Sequence, residues 1–287
     1  MANSEGFLER HHFLLRRLHS LTGVMPIGVF LLAHLTTNAS IVWGRFNAHD
    51  GREGAAAGVA TFQHEVNFIH SLPALLLIEI FGLWLPIAFH SVLGVIYATK
   101  GRPNNANYAY QSNRRYTLQR ISGYVGVLFI FYHVATLRWG WTFLIPGGTE
   151  WSGEYAASTM AAVLRGGMDG FTLGGLLVSA FYMAGVSLLV FHLANGLWTA
   201  AITWGLTVSE AAQKRWGQVC AVIGVGLMLA AWSAVIGFAT LDPAAARVVE
   251  TRMLDQQHDG EIEATLPEGA AHEEEHAGGL TSDSNGG

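Results

Sequence analysis

The chain has 287 residues, 51% of them hydrophobic and only 13% charged, with a mean hydropathy of +0.32. An ordinary soluble domain carries roughly 25% charged residues, so the shortage argues against a soluble enzyme or a disordered chain and for a membrane protein. The net charge of −5 averages two unlike regions: residues 242–287 hold 11 of the 21 acidic side chains and two of the 16 basic ones, leaving 14 basic against 10 acidic in residues 1–241. With Cys220 as the lone cysteine, there is no disulfide framework, thiolate cluster or C-x-x-C-H attachment motif.

A transmembrane helix needs ~20 mostly apolar residues. Five stretches qualify, at about 18–43, 71–98, 121–143, 171–204 and 216–240, which predicts an all-α integral membrane protein with five transmembrane helices. The first is read as a true span and not a signal peptide: it starts late, is too long for an h-region, and lacks a small-residue cleavage site. The second contains Glu79, the third carries Arg138 near its outer end, and the others are free of charge until their ends. Residues 1–17 and the loops 99–120 and 205–215 hold Arg10, Arg16, Arg17, Lys100, Arg102, Arg114, Arg115, Arg120, Lys214 and Arg215, against Arg45, Arg52, Arg138, Arg165, Arg247 and Arg252 on the opposite side. This bias predicts a cytoplasmic N-terminus and, after five crossings, a C-terminus outside. Trp43, Trp139, Trp141 and Trp151 fall where an outer aromatic belt belongs, Trp204 and Trp216 at the inner interface.

Beyond the fifth span, Asp242-Pro243 reads as an N-cap followed by Pro at the first helical position, opening a short surface helix to about His258. From Gly260 the Glu, Gly, Ser and Asp content cannot bury a core, which predicts a disordered end to this acidic 241–287 tail. Its His258, His272 and His276 are read as solvated, with metal binding as the alternative. There is no internal repeat.

Of 13 histidines, four lie deep in spans one to four: His34, His90, His133 and His192. Ionisable groups at membrane depth are costly and usually face a bundle interior; the bland alternative is a hydrogen bond across a helix interface. Their depths are informative. At 1.5 Å per residue, His34 lies ~14 Å below Trp43 and His133 ~9 Å below Trp139, whereas His90 is ~26 Å below Pro73 and His192 ~30 Å below Thr172. The odd spans therefore place their histidines in an outer layer and the even spans in an inner one, ~12–20 Å apart. Two pairs at two depths are what two bis-histidine haems stacked in a helical bundle require. Gly126 and Gly185 each precede a histidine by seven residues, and Gly94 and Gly196 each follow an inner one by four, positions that would give a flat cofactor shallow helix surfaces.

These features coincide with a family likeness. The stretches FLLRRLHSLTGVMPIGVFLLAHLTTN, HSLPALLLIEIFGLWLPIAFHSVLGVIYA, LQRISG and FHLANGLWTAAITWGLTV, across about residues 10–240, resemble the single-polypeptide dihaem cytochrome b membrane anchor of succinate dehydrogenase and fumarate reductase. The resemblance implies that His34 and His133 ligate a distal haem b and His90 and His192 a proximal one, both non-covalent. It also implies flavoprotein and iron–sulfur subunits on the cytoplasmic face of a bacterial inner membrane, which carry the succinate/fumarate chemistry while this chain exchanges electrons with quinone, favouring menaquinone. The acidic tail is outside the family pattern.

The remaining polar residues are assigned around those haems. Glu79, ~16 Å outward of His90 on nearly the same face, is a candidate proton carrier for quinone chemistry, or else a structural carboxyl paired with a His or a backbone donor. Arg17, His19, Ser20 and Arg120 lie where inner propionates would point, and Arg138 suits outer propionates or a quinone oxygen; each arginine is alternatively a snorkelling anchor. His64, Glu65 and His70 could line an outer quinone site or sit on a surface loop. Two competing functions are a histidine-relay proton or metal-ion transporter, which usually shows repeated halves, broken helices or several acidic residues at one depth, whereas this sequence has neither a repeat nor an acidic cluster, and a haem-free structural anchor, which would not need histidines in four spans.

Overall fold

The computed structural model describes residues 7–100 and 111–265. After a single turn α1 (Phe7–Arg10), α2 (His12–Val24) and α3 (Pro26–Trp43) form the first long apolar helix, broken at Met25, where Pro26 brings no backbone N–H and enters at the tolerated first position of a new helix. The second is α5 (Leu75–Glu79), one π turn over Ile80–Trp84, and α6 (Leu85–Lys100). The third, fourth and fifth are α7 (Gln111–Leu137), α9 (Leu173–Thr203) and α10 (Glu210–Thr240). All five are long and apolar enough to cross a membrane, and among the described residues there is no strand. The fold is an all-α, multi-pass membrane protein.

Packing places α9 at the centre, between α7 and α10 and against α2; α6 lies on α2, and α10 closes the far side against α3. Leu77, Phe131, Leu177, Val222 and Leu229 remain exposed, as a surface solvated by lipid allows. One end of the bundle carries Arg17, Lys100, Arg115 and Lys214 and is called here the basic end. The other is covered by two helices in the connections, α4 (Gly54–His70) and α8 (Ala156–Arg165), and by α11 (Pro243–Thr265), and is called the cap end.

Two features differ from the sequence reading. The third helix stops at Leu137, not 143, because Gly140 turns the chain with φ +67° and lets the Trp141 amide reach back to Ala135 O at 2.9 Å. The tail helix opens as expected, with Asp242 Oδ1 accepting from Ala244 N at 2.9 Å, and lies at the surface, but it runs past His258 to Thr265 and buries one face (Ala246, Glu250, Met253). Glu250 is fully buried, and its Oε1 accepts from the first-turn amides Ala157 N (2.7 Å) and Ser158 N (3.1 Å) of α8. Gln63 of α4 takes the neighbouring Ala156 amide at 3.0 Å and donates to Gly153 O at 2.7 Å. The amides that a helix N-terminus leaves without partners thus lock the three cap helices together. Burial pushes the Glu250 carboxyl above its ordinary value, opposed by these hydrogen bonds and by Arg247. Arg102, His272, His276 and residues 266–287 lie outside the described residues.

Candidate functional site

The four deep histidines meet in two pairs. His90 of α6 and His192 of α9 have ring centroids 6.1 Å apart with planes at 84°; His34 of α3 and His133 of α7 are 5.8 Å apart at 85°. Metal–imidazole bonds are about 2 Å long, so an iron held between two imidazoles sets the centroids ~6 Å apart. Both pairs have that spacing.

The basic-end pair is also fixed in the tautomer that ligation needs. His90 Nδ1 lies 2.9 Å from His19 O, and His192 Nδ1 lies 3.1 Å from Gln119 O. A backbone carbonyl only accepts, so each Nδ1 carries the proton and donates it, leaving the Nε2 lone pair free for a metal. At the cap end, His133 Nδ1 meets the Tyr182 hydroxyl at 3.3 Å, Phe30 stacks 5.3 Å from His34 and Phe129 stacks 6.0 Å from His133.

A cavity of about 660 Å³ opens against His90 and His192 and reaches the basic end past Ser20, Arg17 and Arg120. Its polar wall holds buried atoms without partners among the described residues: Arg17 Nε, His19 Nδ1, Tyr97 O–H, and Arg120 Nε and Nη1. Buried donors of this kind are costly unless something completes them. An apolar cavity with two neutral imidazoles at one depth and orphaned cationic donors at its mouth fits a haem with its two propionates. Among the described residues no three His, Cys, Asp or Glu side chains are arranged to hold a metal ion; a porphyrin iron needs only two protein ligands.

The sequence reading missed the glycines that make room for the rings. A Cβ at Gly23 would lie 2.5 Å from His90 Cε1, and one at Gly123 would lie 3.1 Å from His192 Cε1. Gly94 and Gly196 do line the cavity, as does Gly126. Gly185 instead packs directly on Phe129, so it serves the close crossing of α7 and α9 and leaves no flat surface for a cofactor. His19 exceeds its expected role, since its ring stacks on His90 with centroids 4.0 Å apart at 12° in addition to its carbonyl bond.

Glu79 and Arg138 were read as separate polar groups and form an ion pair, Oε2 to Nη2 3.1 Å, so the carboxyl has a partner and it is an arginine. The pair sits where the π turn begins, beside Trp84 and Trp139, whose rings stack at 6.3 Å. π turns recur at functional sites. His64, Glu65 and His70 lie on α4, a helix and not a loop. His64 faces His49 at 5.7 Å and His70 faces Trp151 at 6.4 Å.

Fold and site together define a multi-pass membrane protein with five long apolar helices and two half-buried histidine pairs, one of them facing a cavity. No family model and no solved structure matches the chain. It is 33% identical over 226 residues, 79% of its own length and 96% of the relative's, to the succinate dehydrogenase cytochrome b558 subunit of Bacillus subtilis (strain 168). The chain belongs to this family of succinate dehydrogenase cytochrome b membrane subunits.

Proposed function

We propose that this chain anchors a succinate:quinone oxidoreductase and carries electrons between an iron–sulfur partner and quinone with two non-covalent b haems. The observation that supports this best is the basic-end cavity, with two Nδ1-protonated histidines at one depth and orphaned Arg17, His19 and Arg120 donors at its mouth. A bis-histidine b haem supplies a one-electron carrier.

His90 and His192 would hold the basic-end haem, with Arg17, His19, Ser20 and Arg120 completing its propionates; His34 and His133 would hold the cap-end haem. The basic end is read as cytoplasmic from its Lys and Arg excess, so flavoprotein and iron–sulfur subunits would dock there, and the C-terminus would lie outside a bacterial inner membrane. Glu79 holds a proton or Arg138 at the cap end, where quinone conversion needs a titratable group and a path to water; menaquinone is the quinone we favour. Arg138, 59% exposed against 24% for Glu79, is free to leave the carboxylate for a quinone oxygen.

A pyridine haemochrome assay on the purified complex, read per copy of this chain, should give about two b haems, from four axial ligands at two per iron. One haem or none would overturn the assignment.

A further inference from the structure

We infer that Gln119, Asn195 and Arg115 form a positioning relay for His192, fixing the ring that would ligate the basic-end iron; this rests on the haem reading above. The chain of contacts is continuous. Gln119 grips His192 twice, its backbone carbonyl accepting from Nδ1 at 3.1 Å and its side-chain Nε2 donating to His192 O at 3.1 Å. Ser122 Oγ, fully buried, donates to the same Gln119 carbonyl at 3.1 Å and lies 3.2 Å from Nδ1. Asn195, one turn along α9 from His192 and 4% exposed, donates to Gln119 Oε1 at 2.8 Å. Its own Oδ1 accepts from Arg115 Nε at 2.9 Å, and the Arg115 guanidinium lies 4.0 Å over the Trp198 ring.

Each amide is oriented by the next group in this chain. Arg115 only donates, so it fixes Asn195 with its oxygen toward α7 and its NH2 toward Gln119. That in turn makes Gln119 present its NH2 to His192 O. Reversing either amide would set donor against donor or acceptor against acceptor at a buried site. Arg115 is distinct from the arginines assigned to the propionates: it does not line the large cavity but a separate groove of about 290 Å³ with Asn195 and Cys220. It acts on His192 through the two amides and not by touching a ligand. His90 has no equivalent side-chain chain, its partner being the His19 carbonyl alone.

An N–H···O=C bond at Nδ1 raises the electron donation of a ligating imidazole and fixes its ring plane. Gln119→Met keeps the volume and charge while removing both side-chain bonds of Gln119, so the peptide carbonyl loses its brace. In the purified complex, the basic-end haem (the one lost in His192→Ala) should then show a midpoint potential raised by about three- to tenfold in its one-electron equilibrium constant, at 59 mV per tenfold. Its low-field EPR signal, which reports the angle between the two imidazole planes, should move, and its transfer to apomyoglobin should speed up about 10- to 100-fold. The cap-end haem should be unchanged in all three. Asn195→Leu, which cuts the relay one step earlier, should shift the same haem in the same direction, and it decides the matter if Gln119→Met does not assemble. Both haems present with unaltered potential, EPR and transfer rate in either variant would overturn the relay while leaving the haem assignment intact; a wild-type complex without two haems would instead overturn the assignment on which it rests.

Discussion

Gly23 is the sharpest place to test the basic-end site, because a side chain added there meets the His90 ring first. In Gly23→Ala the new Cβ would sit 2.5 Å from His90 Cε1, 2.9 Å from Nδ1 and 3.4 Å from Nε2. Carbon atoms pack at about 3.5–4.0 Å, so the ring must retreat by ~1 Å. His19 covers its face at 4.0 Å and His19 O holds Nδ1 at 2.9 Å, so a retreat strains the Nδ1 bond or enters the cavity that a haem would fill. Overpacking of this kind costs roughly 1–3 kcal/mol, and giving up the Nδ1 bond adds about 1 kcal/mol. A total of about 2–4 kcal/mol weakens basic-end haem binding roughly 30- to 1,000-fold. Haem content per chain should fall from two toward one, with the cap-end redox signal kept, when measured by pyridine haemochrome and a potentiometric optical titration. Gly226→Ala on α10, where nothing lies within 4 Å, is the matched control and should hold both haems. A Gly23→Ala complex with two haems and wild-type potentials would refute the placement of His90 as a ligand.

The pairs should separate by layer: His34→Ala or His133→Ala removes the cap-end haem alone, and His90→Ala or His192→Ala the basic-end haem alone, as read by redox titration with EPR. Loss of the same haem in His34 and His90 variants would break the pairing. Glu79→Gln should lower quinone-linked turnover about 10²- to 10⁴-fold, the usual reach of one proton-transfer group, with both haems retained. Full turnover would remove Glu79 as a proton carrier, and loss of a haem would make it structural. Glu250 predicts a pH dependence at the cap. Its folded carboxyl is raised above its ordinary 4.5 by burial, so the folded cap binds the proton more tightly than the unfolded chain. Its stabilising contribution is full below 4.5 and is lost as pH rises through the raised value. Hydrogen-exchange protection of the α8 amides, corrected for intrinsic rates, should therefore fall with rising pH in the wild type and stay flat in Glu250→Gln, which keeps the Oε1 acceptor. Protection that rises with pH in the wild type would contradict the sign.

What could be read from the sequence follows from how local the governing physics is. Span number and approximate limits depend on hydropathy summed along the chain, so all five helices were legible, and the fixed rise of a helix brought His34 to the depth of His133 and His90 to that of His192. Features that depend on the rotation of one helix against another were not. Gly23 and Gly123 lie on helices that carry no ligand at that level, and their value appears only once the His90 and His192 rings lie across them. Gly185 had the favourable spacing and yet faces Phe129, because spacing along α9 does not tell which neighbour it meets. Glu79 and Arg138 were each singled out, but a pair separated by 59 positions is settled by packing. The cap helices α4 and α8 were passed over since GAAAGVATF and AASTMAAVL are too short and too small-sided to register as spans. Their burial comes from packing on each other, on α11 and on the ends of the long helices, which no local pattern records. Gln119 and Asn195 stand inside LQRISG and FHLANG, the stretches that carried the family resemblance, without any signal that their amides face each other.

The two histidine layers also differ in a way that bears on direction of charge. Around the basic-end pair, Arg17 and Arg120 keep orphaned nitrogens and Arg115 connects to His192 through two amides, so cationic charge there has no carboxylate described against it. Around the cap-end pair the neighbours are Phe30, Phe129 and the Tyr182 hydroxyl, and Arg138, five residues beyond His133, is matched by Glu79. At low local dielectric such differences are weakly screened, so added negative charge is better tolerated at the basic end, less the charge of any propionates that Arg17 and Arg120 neutralise. Arg115, which lines a separate groove, retains its full charge in that balance. On the proposed function, the asymmetry suits an electron held beside a docked redox partner at one end and a quinone at the other, where the Glu79–Arg138 pair is in place.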